Sequence, residues 1–192
     1  MAIDKIQAEG INLADTFAFT GTVTGAGNLT LLNTTTLSSS TSATIQGLMT
    51  GYDNYLVLYK LTRSTNSIPR LTFLSGATEL TSGYHSQGVY GSGSSAGSTG
   101  DDGQSFINLT STYSDSWGAT APVSGHIFII DPDDASDVTS VVGQNTIWSS
   151  SSNLIINNFT GSSTTAQAQD GLKFTISTGN YVDGFIKLYG IT

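Results

Sequence analysis

The apolar residues of this chain fall in short extended runs, and no stretch keeps the spacing of a helical face. Leu172, Phe174 and Ile176 alternate with Lys173, Thr175 and Ser177, the two-residue period of a strand with one buried side. Asn54 to Leu61, NYLVLYKL, is apolar and aromatic on both faces, which predicts a central strand. Val123 to Ile130, VSGHIFII, reads as a second buried strand, ended by Asp131-Pro132. Further strand signals lie at Leu71–Leu74 with Gly76 as its turn, at Ser105–Leu109, at Val138–Trp148, at Asn153–Phe159 and at Asp183–Ile191. The best helical candidate, Asp133 to Val138, is one turn at most. About seven to nine short strands separated by turn signals predict an all-β fold, an antiparallel β-sandwich of jelly-roll type. The last strand, Val182–Ile191, is expected beside Ala43–Leu48 or Asn54–Leu61.

Two regions resist this pattern. Val89 to Asp102, VYGSGSSAGSTGDD, is rich in glycine and serine and reads as a long irregular surface segment. The first thirty residues hold Phe17, Phe19 and Val23 in a loose alternation, with Gly10, Gly21, Gly25 and Gly27 breaking any regular element. Such a segment reads as a short strand or extended arm with one apolar face and no local partner. Leu31 to Ser42, LLNTTTLSSSTS, reads as a linker or irregular strand. The expected organisation is an arm and linker over residues 1–42, serving attachment and trimerisation, and a sandwich head over 43–192.

Composition narrows the function. Charged residues make up 10% of the chain, against about 25% in an average globular protein, and Gly, Ser, Thr and Asn replace them. The net charge is −8, and the six basic residues form no run, so a nucleic-acid stripe and a polybasic membrane patch are both rejected. No apolar run approaches the roughly 20 residues of a membrane helix, so no membrane insertion is expected. With no cysteine there is no disulfide framework and no thiolate metal site.

No nucleophile elbow, zinc-protease motif or phosphate loop occurs, and the expectation is a protein without catalytic residues or cofactor. His126 lies inside VSGHIFII and reads as a structural residue rather than a base; His85 lies at a loop edge. The acidic cluster Asp131–Asp137 has the oxygen density of a calcium loop but not the EF-hand pattern. It reads instead as an Asp-Pro turn followed by a helical turn capped by Asp133 or Ser136. Tyr84, Tyr90, Tyr113 and Trp117 fall in the loop-rich middle of the chain. Aromatic faces stack on sugar rings, so these four are the candidate glycan contacts, against the alternative that they cover one end of the sandwich. Trp148 reads as core or as a contact in a trimer.

Five segments taken together resemble a known family. They are DTFAFTGTVTGAG at Asp15–Gly27, YDNYLVL at Tyr52–Leu58, RSTN at Arg63–Asn66 followed by Arg70-Leu71, SGHIFIIDP at Ser124–Pro132, and GFIKLYGI at Gly184–Ile191. In this order they resemble virion structural proteins of tailed phages, cyanophages and other marine phages among them, described as tail-fibre or structural proteins. The resemblance implies an N-terminal attachment or trimerising piece followed by a β-sandwich head, made in the bacterial host cytoplasm and carried on the virion surface. It implies a homotrimer bound to other tail or capsid proteins, with Phe17, Phe19 and Val23 as candidate attachment residues. No long shaft accompanies the head, and two functions stay open. One is a tail-fibre-like appendage that contacts host-surface glycans; the other is a capsid decoration or head fibre with a purely structural role.

Overall fold

The computed structural model describes residues 28–93, 95–110, 121–148 and 154–192. They form thirteen strands, all paired antiparallel. The first five are β1 (Leu29–Leu37), β2 (Ser42–Ile45), β3 (Asn54–Arg63), β4 (Pro69–Ser75) and β5 (Thr78–Glu79). The next four are β6 (Tyr84–Ser92), β7 (Ser95–Gln104), β8 (Ile107–Asn108) and β9 (Val123–Ile130). The last four are β10 (Ser140–Trp148), β11 (Leu154–Ser163), β12 (Gly171–Ile176) and β13 (Tyr181–Ile191). Eight strands build one sheet in the order β1-β13-β3-β9-β10-β11-β6-β7. The second sheet runs β2-β12-β4-β5, with β8 also pairing β4.

The two sheets pack on each other through their period-2 inner faces. In β3, Tyr55, Val57, Tyr59 and Leu61 point inward and are almost wholly buried. Leu71 and Phe73 of β4 and Leu172 and Phe174 of β12 meet them from the smaller sheet. The Tyr59 and Phe174 rings lie 6.0 Å apart across the interface. Burying each such side chain contributes about 1.5–3 kcal/mol, and this shared layer holds the sandwich together. As expected, β3 is central, flanked by β13 and β9, and β13 lies beside it. The strand order by itself does not assign the sandwich to the jelly-roll type.

The structure departs from the sequence reading in two places. Val89 to Asp102 is not irregular: it lies within the β6–β7 hairpin, with Ser92 paired to Ser95. Gly93 at the tip has φ +57°, which glycine adopts without strain. The hairpin is stitched by backbone hydrogen bonds, and apolar content is not what defines it. The second departure is at the front of the chain. Residues 29–37, read as part of an arm and linker, form β1 and pair with β13 along Leu29↔Ile191 to Leu37↔Gly184. The sandwich therefore starts at β1 and not near Ala43.

Candidate functional site

The inner faces of β9, β10, β11 and β6 are committed to the core, so their alternate residues form the outer surface. In β9, Val123, Ile127 and Ile129 are buried, which turns His126, Phe128 and Ile130 outward. His126 is therefore a half-exposed residue of the outer face, not an interior one as its apolar surroundings in sequence implied.

The strand register sets these outward side chains in rows. One row runs His126, Gln144, Asn158, Val89. The next runs Phe128, Val142, Thr160, Gln87. A third runs Ile130, Ser140, Ser162, His85. Between the first two rows lies a depression of about 500 Å³, lined on its apolar side by Phe128, Val142 and Val89. It continues past Gln87 and Thr160 into a second hollow of about 220 Å³ beside Ser140, Ser162 and His85. Together they make one groove crossing the strands.

Local contacts fix the groove side chains. The His126 ring meets Phe128 edge to face at 5.6 Å. Gln144 Nε2 donates to Asn158 Oδ1 at 2.7 Å. Thr160 Oγ1 donates to the Val141 carbonyl at 2.9 Å. At the far end His85 Nδ1 lies 2.7 Å from Asp102 Oδ1. None of the residues in the three rows is Lys, Arg, Asp or Glu. The rows thus offer apolar side chains beside amide, hydroxyl and imidazole groups, and no fixed charge.

The residues singled out from sequence lie elsewhere. Tyr84 is fully buried, not on a loop: it points to the core from β6, its ring centroid 6.2 Å from that of Phe73. Burial pushes its phenol well above the usual range, outweighing the hydrogen bond from the Phe73 backbone. Tyr90 also faces inward from β6, partly buried against the core, with its ring over Gly97. Both are on the opposite side of the sheet from the groove and cannot contact a ligand there. Tyr113 and Trp117, and Phe17, Phe19 and Val23, lie outside the described residues. Trp148 is 52% exposed at the end of β10, so it is not core.

The acidic segment is built of turns and a bend, without the helical turn expected over Asp133–Val138, and its capping residue differs from the expectation. Asp134, rather than Asp133 or Ser136, closes the turn: its Oδ1 accepts from the Ser136 backbone N–H at 2.7 Å and from Ser136 Oγ at 2.6 Å. These bonds hold the Asp134 carboxyl below its usual range. Asp131 is displaced upward, by partial desolvation and then by the charges of Asp134, Asp133, Asp53 and Asp137. Among the described residues, no three His, Cys, Asp or Glu side chains are grouped to hold a metal ion.

The groove was missed because it draws on strands far apart in sequence. The usable signal was the period-2 pattern itself: Val123, Ile127 and Ile129 on one face leave His126, Phe128 and Ile130 on the other. Compared with known proteins, the chain matches no protein-family model and no curated sequence.

Proposed function

We propose that this chain is a non-enzymatic structural protein of a tailed-phage virion, a short tail-fibre-type appendage that assembles as a homotrimer. Residues 1–27 attach it to neighbouring virion proteins, and the sandwich is the displayed head. The observation that carries this reading is the free edge of β1. Its nine residues, LTLLNTTTL, pair with β13 on one side and with no strand on the other among the described residues. Proteins that remain monomers blunt such edges with Lys, Pro, bulges or covering loops. β1 holds no charged residue and no proline, and its one irregularity lies between Leu31 and Asn33.

The surface beside that edge is apolar. Leu29 and Leu31 are each 52% exposed, and the row from Leu31 continues through Tyr189 to Leu56 on the outer face. A second copy seated here removes apolar surface from water at roughly 25 cal/mol per Å² and satisfies an open ladder. Closed rotational symmetry then stops the pairing from running on into a fibre. The family resemblance supplies the choice of three copies.

Light scattering on the full chain tests this reading. The expected mass is three times the 20.0 kDa of one chain. A stable monomer at micromolar concentration overturns it. Incorporation into particles, followed by image reconstruction, separates a tail location from a capsid one.

A further inference from the structure

We infer that the outer groove across β9, β10, β11 and β6 is a binding site for a neutral oligosaccharide. This rests on the reading of the chain as a virion-surface protein and gives its host contact a location, in place of the buried Tyr84 and the inward-facing Tyr90.

The chemistry of the lining selects the ligand. No Lys, Arg, Asp or Glu stands in the three rows, so an ionic ligand finds no counter-charge among them, and Asp102 beside His85 is engaged with that ring. A wholly apolar ligand would strip water from Gln87, Gln144 and Asn158 without replacing their hydrogen bonds, which is costly. A sugar chain fits both halves. Its C–H faces pack on Phe128 and Val142, and its hydroxyls both donate and accept, as amides do. Across the strands the groove spans three inter-strand spacings, roughly 14 Å, which suits a short chain of sugars rather than one ring. Its main hollow of about 500 Å³ lies in the usual range for ligand sites.

The site is also preorganised. The edge contact from His126 sets the Phe128 ring, and the Gln144–Asn158 hydrogen bond fixes the two amides relative to each other. All these residues ride on paired strands in the middle of the large sheet rather than on loops, so little ordering entropy is lost on binding.

The test is isothermal titration of the full chain with neutral hexasaccharides of glucose, galactose, mannose and N-acetylglucosamine, with a heparin hexasaccharide as the charged control. At least one neutral chain is expected to bind, and heparin is not. Phe128→Ala should weaken that binding by at least about tenfold. Gln144→Ala with Asn158→Ala should weaken it several-fold, and carries the test if Phe128→Ala lowers the melting temperature. Binding by none of the neutral chains, binding by heparin alone, or affinity unchanged in both variants overturns the site. So does a Phe128→Ala chain that loses self-association while no saccharide binds, because the groove is then a contact between copies. No saccharide binding by a chain that still forms trimers overturns the groove and leaves the assembly standing. Saccharide binding by a chain that stays monomeric does the reverse.

Discussion

The backbone N–H of Phe73 in β4 donates to the phenol oxygen of Tyr84 in β6 at 2.8 Å, from one sheet to the other. The reason lies in a gap. β8 pairs Arg70 and Leu71, and β5 pairs Leu74 and Ser75, on the same edge of β4. The Phe73 carbonyl on that edge accepts from Leu80 N–H at 3.0 Å, so its own N–H points into the space between the two short strands. Tyr84 fills that space and supplies the acceptor.

Tyr84→Phe keeps the ring and removes the acceptor. A buried N–H left unpaired costs about 1–3 kcal/mol. The melting temperature should fall by roughly 2–4 °C for each kcal/mol in a domain of this size. Tyr84→Ala should cost about 3–5 kcal/mol, since it also opens a cavity. Calorimetry of the two variants checks both values. A Tyr84→Phe chain as stable as the parent would show that the hydrogen bond contributes nothing net.

A second test concerns a polar row inside the core. Tyr59, Gly125, Asn145 and Asn157 stand opposite one another on β3, β9, β10 and β11. Asn157 Nδ2 donates to Asn145 Oδ1 at 2.9 Å; Asn145 Nδ2 donates to Tyr59 Oη at 3.0 Å and to the Leu109 carbonyl. Asn145→Ala takes a partner from each of these groups and should destabilise by on the order of 3 kcal/mol. Gly125 gives the row its room: a Cβ there would lie 2.2 Å from the Gln144 carbonyl oxygen and 2.8 Å from Asn145 Cα. Those are backbone atoms, so Gly125→Ala must shift the strand, and urea unfolding should show a loss comparable to that of Asn145→Ala.

How far this architecture was legible depends on whether side chains or backbone carry each element. β3 announces itself as a run of apolar and aromatic residues, NYLVLYKL, and β12 because apolar and polar residues alternate in LKFTI. β6 and β7 do not, because SAGSTGDDGQ pairs through its backbone and has almost no apolar face. Tyr84 looked like a loop residue because His85, Ser86 and Gln87 follow it, yet Ser86 is itself buried beside it on the inner face. The groove needs the pairing of β11 with β6, residues about seventy apart in sequence, and no local pattern encodes that register.

Alkaline stability offers a third test, through buried phenols. Burial pushes the Tyr55 hydroxyl up to about 12, and raises Tyr59, Tyr84 and Tyr181 further. For these acids the folded value exceeds the unfolded one near 10, so the folded state resists losing the proton. Their contribution is intact below about pH 10 and is lost as pH rises from there through the folded values. Burial lowers the Arg63 guanidinium, which works in the opposite sense, but it is one group against four. Stability should therefore fall steeply above about pH 10, with tyrosinate absorbance appearing together with unfolding. Tyrosinate forming fully while the sheet spectrum persists would mean that these phenols are not held from water.

The last prediction separates the first 27 residues from β1. A chain beginning at residue 28 keeps every strand of the described residues, so its sheet spectrum and melting temperature should match the full chain. It should still form trimers through the β1 edge but should fail to join particles, if attachment resides in the segment that carries Phe17, Phe19 and Val23. A chain beginning at residue 43 is a different matter. It loses the whole β1–β13 ladder, the buried Leu37, and the paired backbone hydrogen bonds between Ser40 and Tyr181 at 2.8 and 3.0 Å. The edge of β13 would then lie open for the length of an eleven-residue strand, an invitation to uncontrolled pairing. That chain should melt well below the longer one and aggregate on concentration. Equal stability of the two truncated chains would show that β1 is dispensable to the sandwich. A monomeric chain beginning at residue 28 would move self-association off the β1 edge and onto residues 1–27, and particle incorporation by that chain would move attachment onto the head.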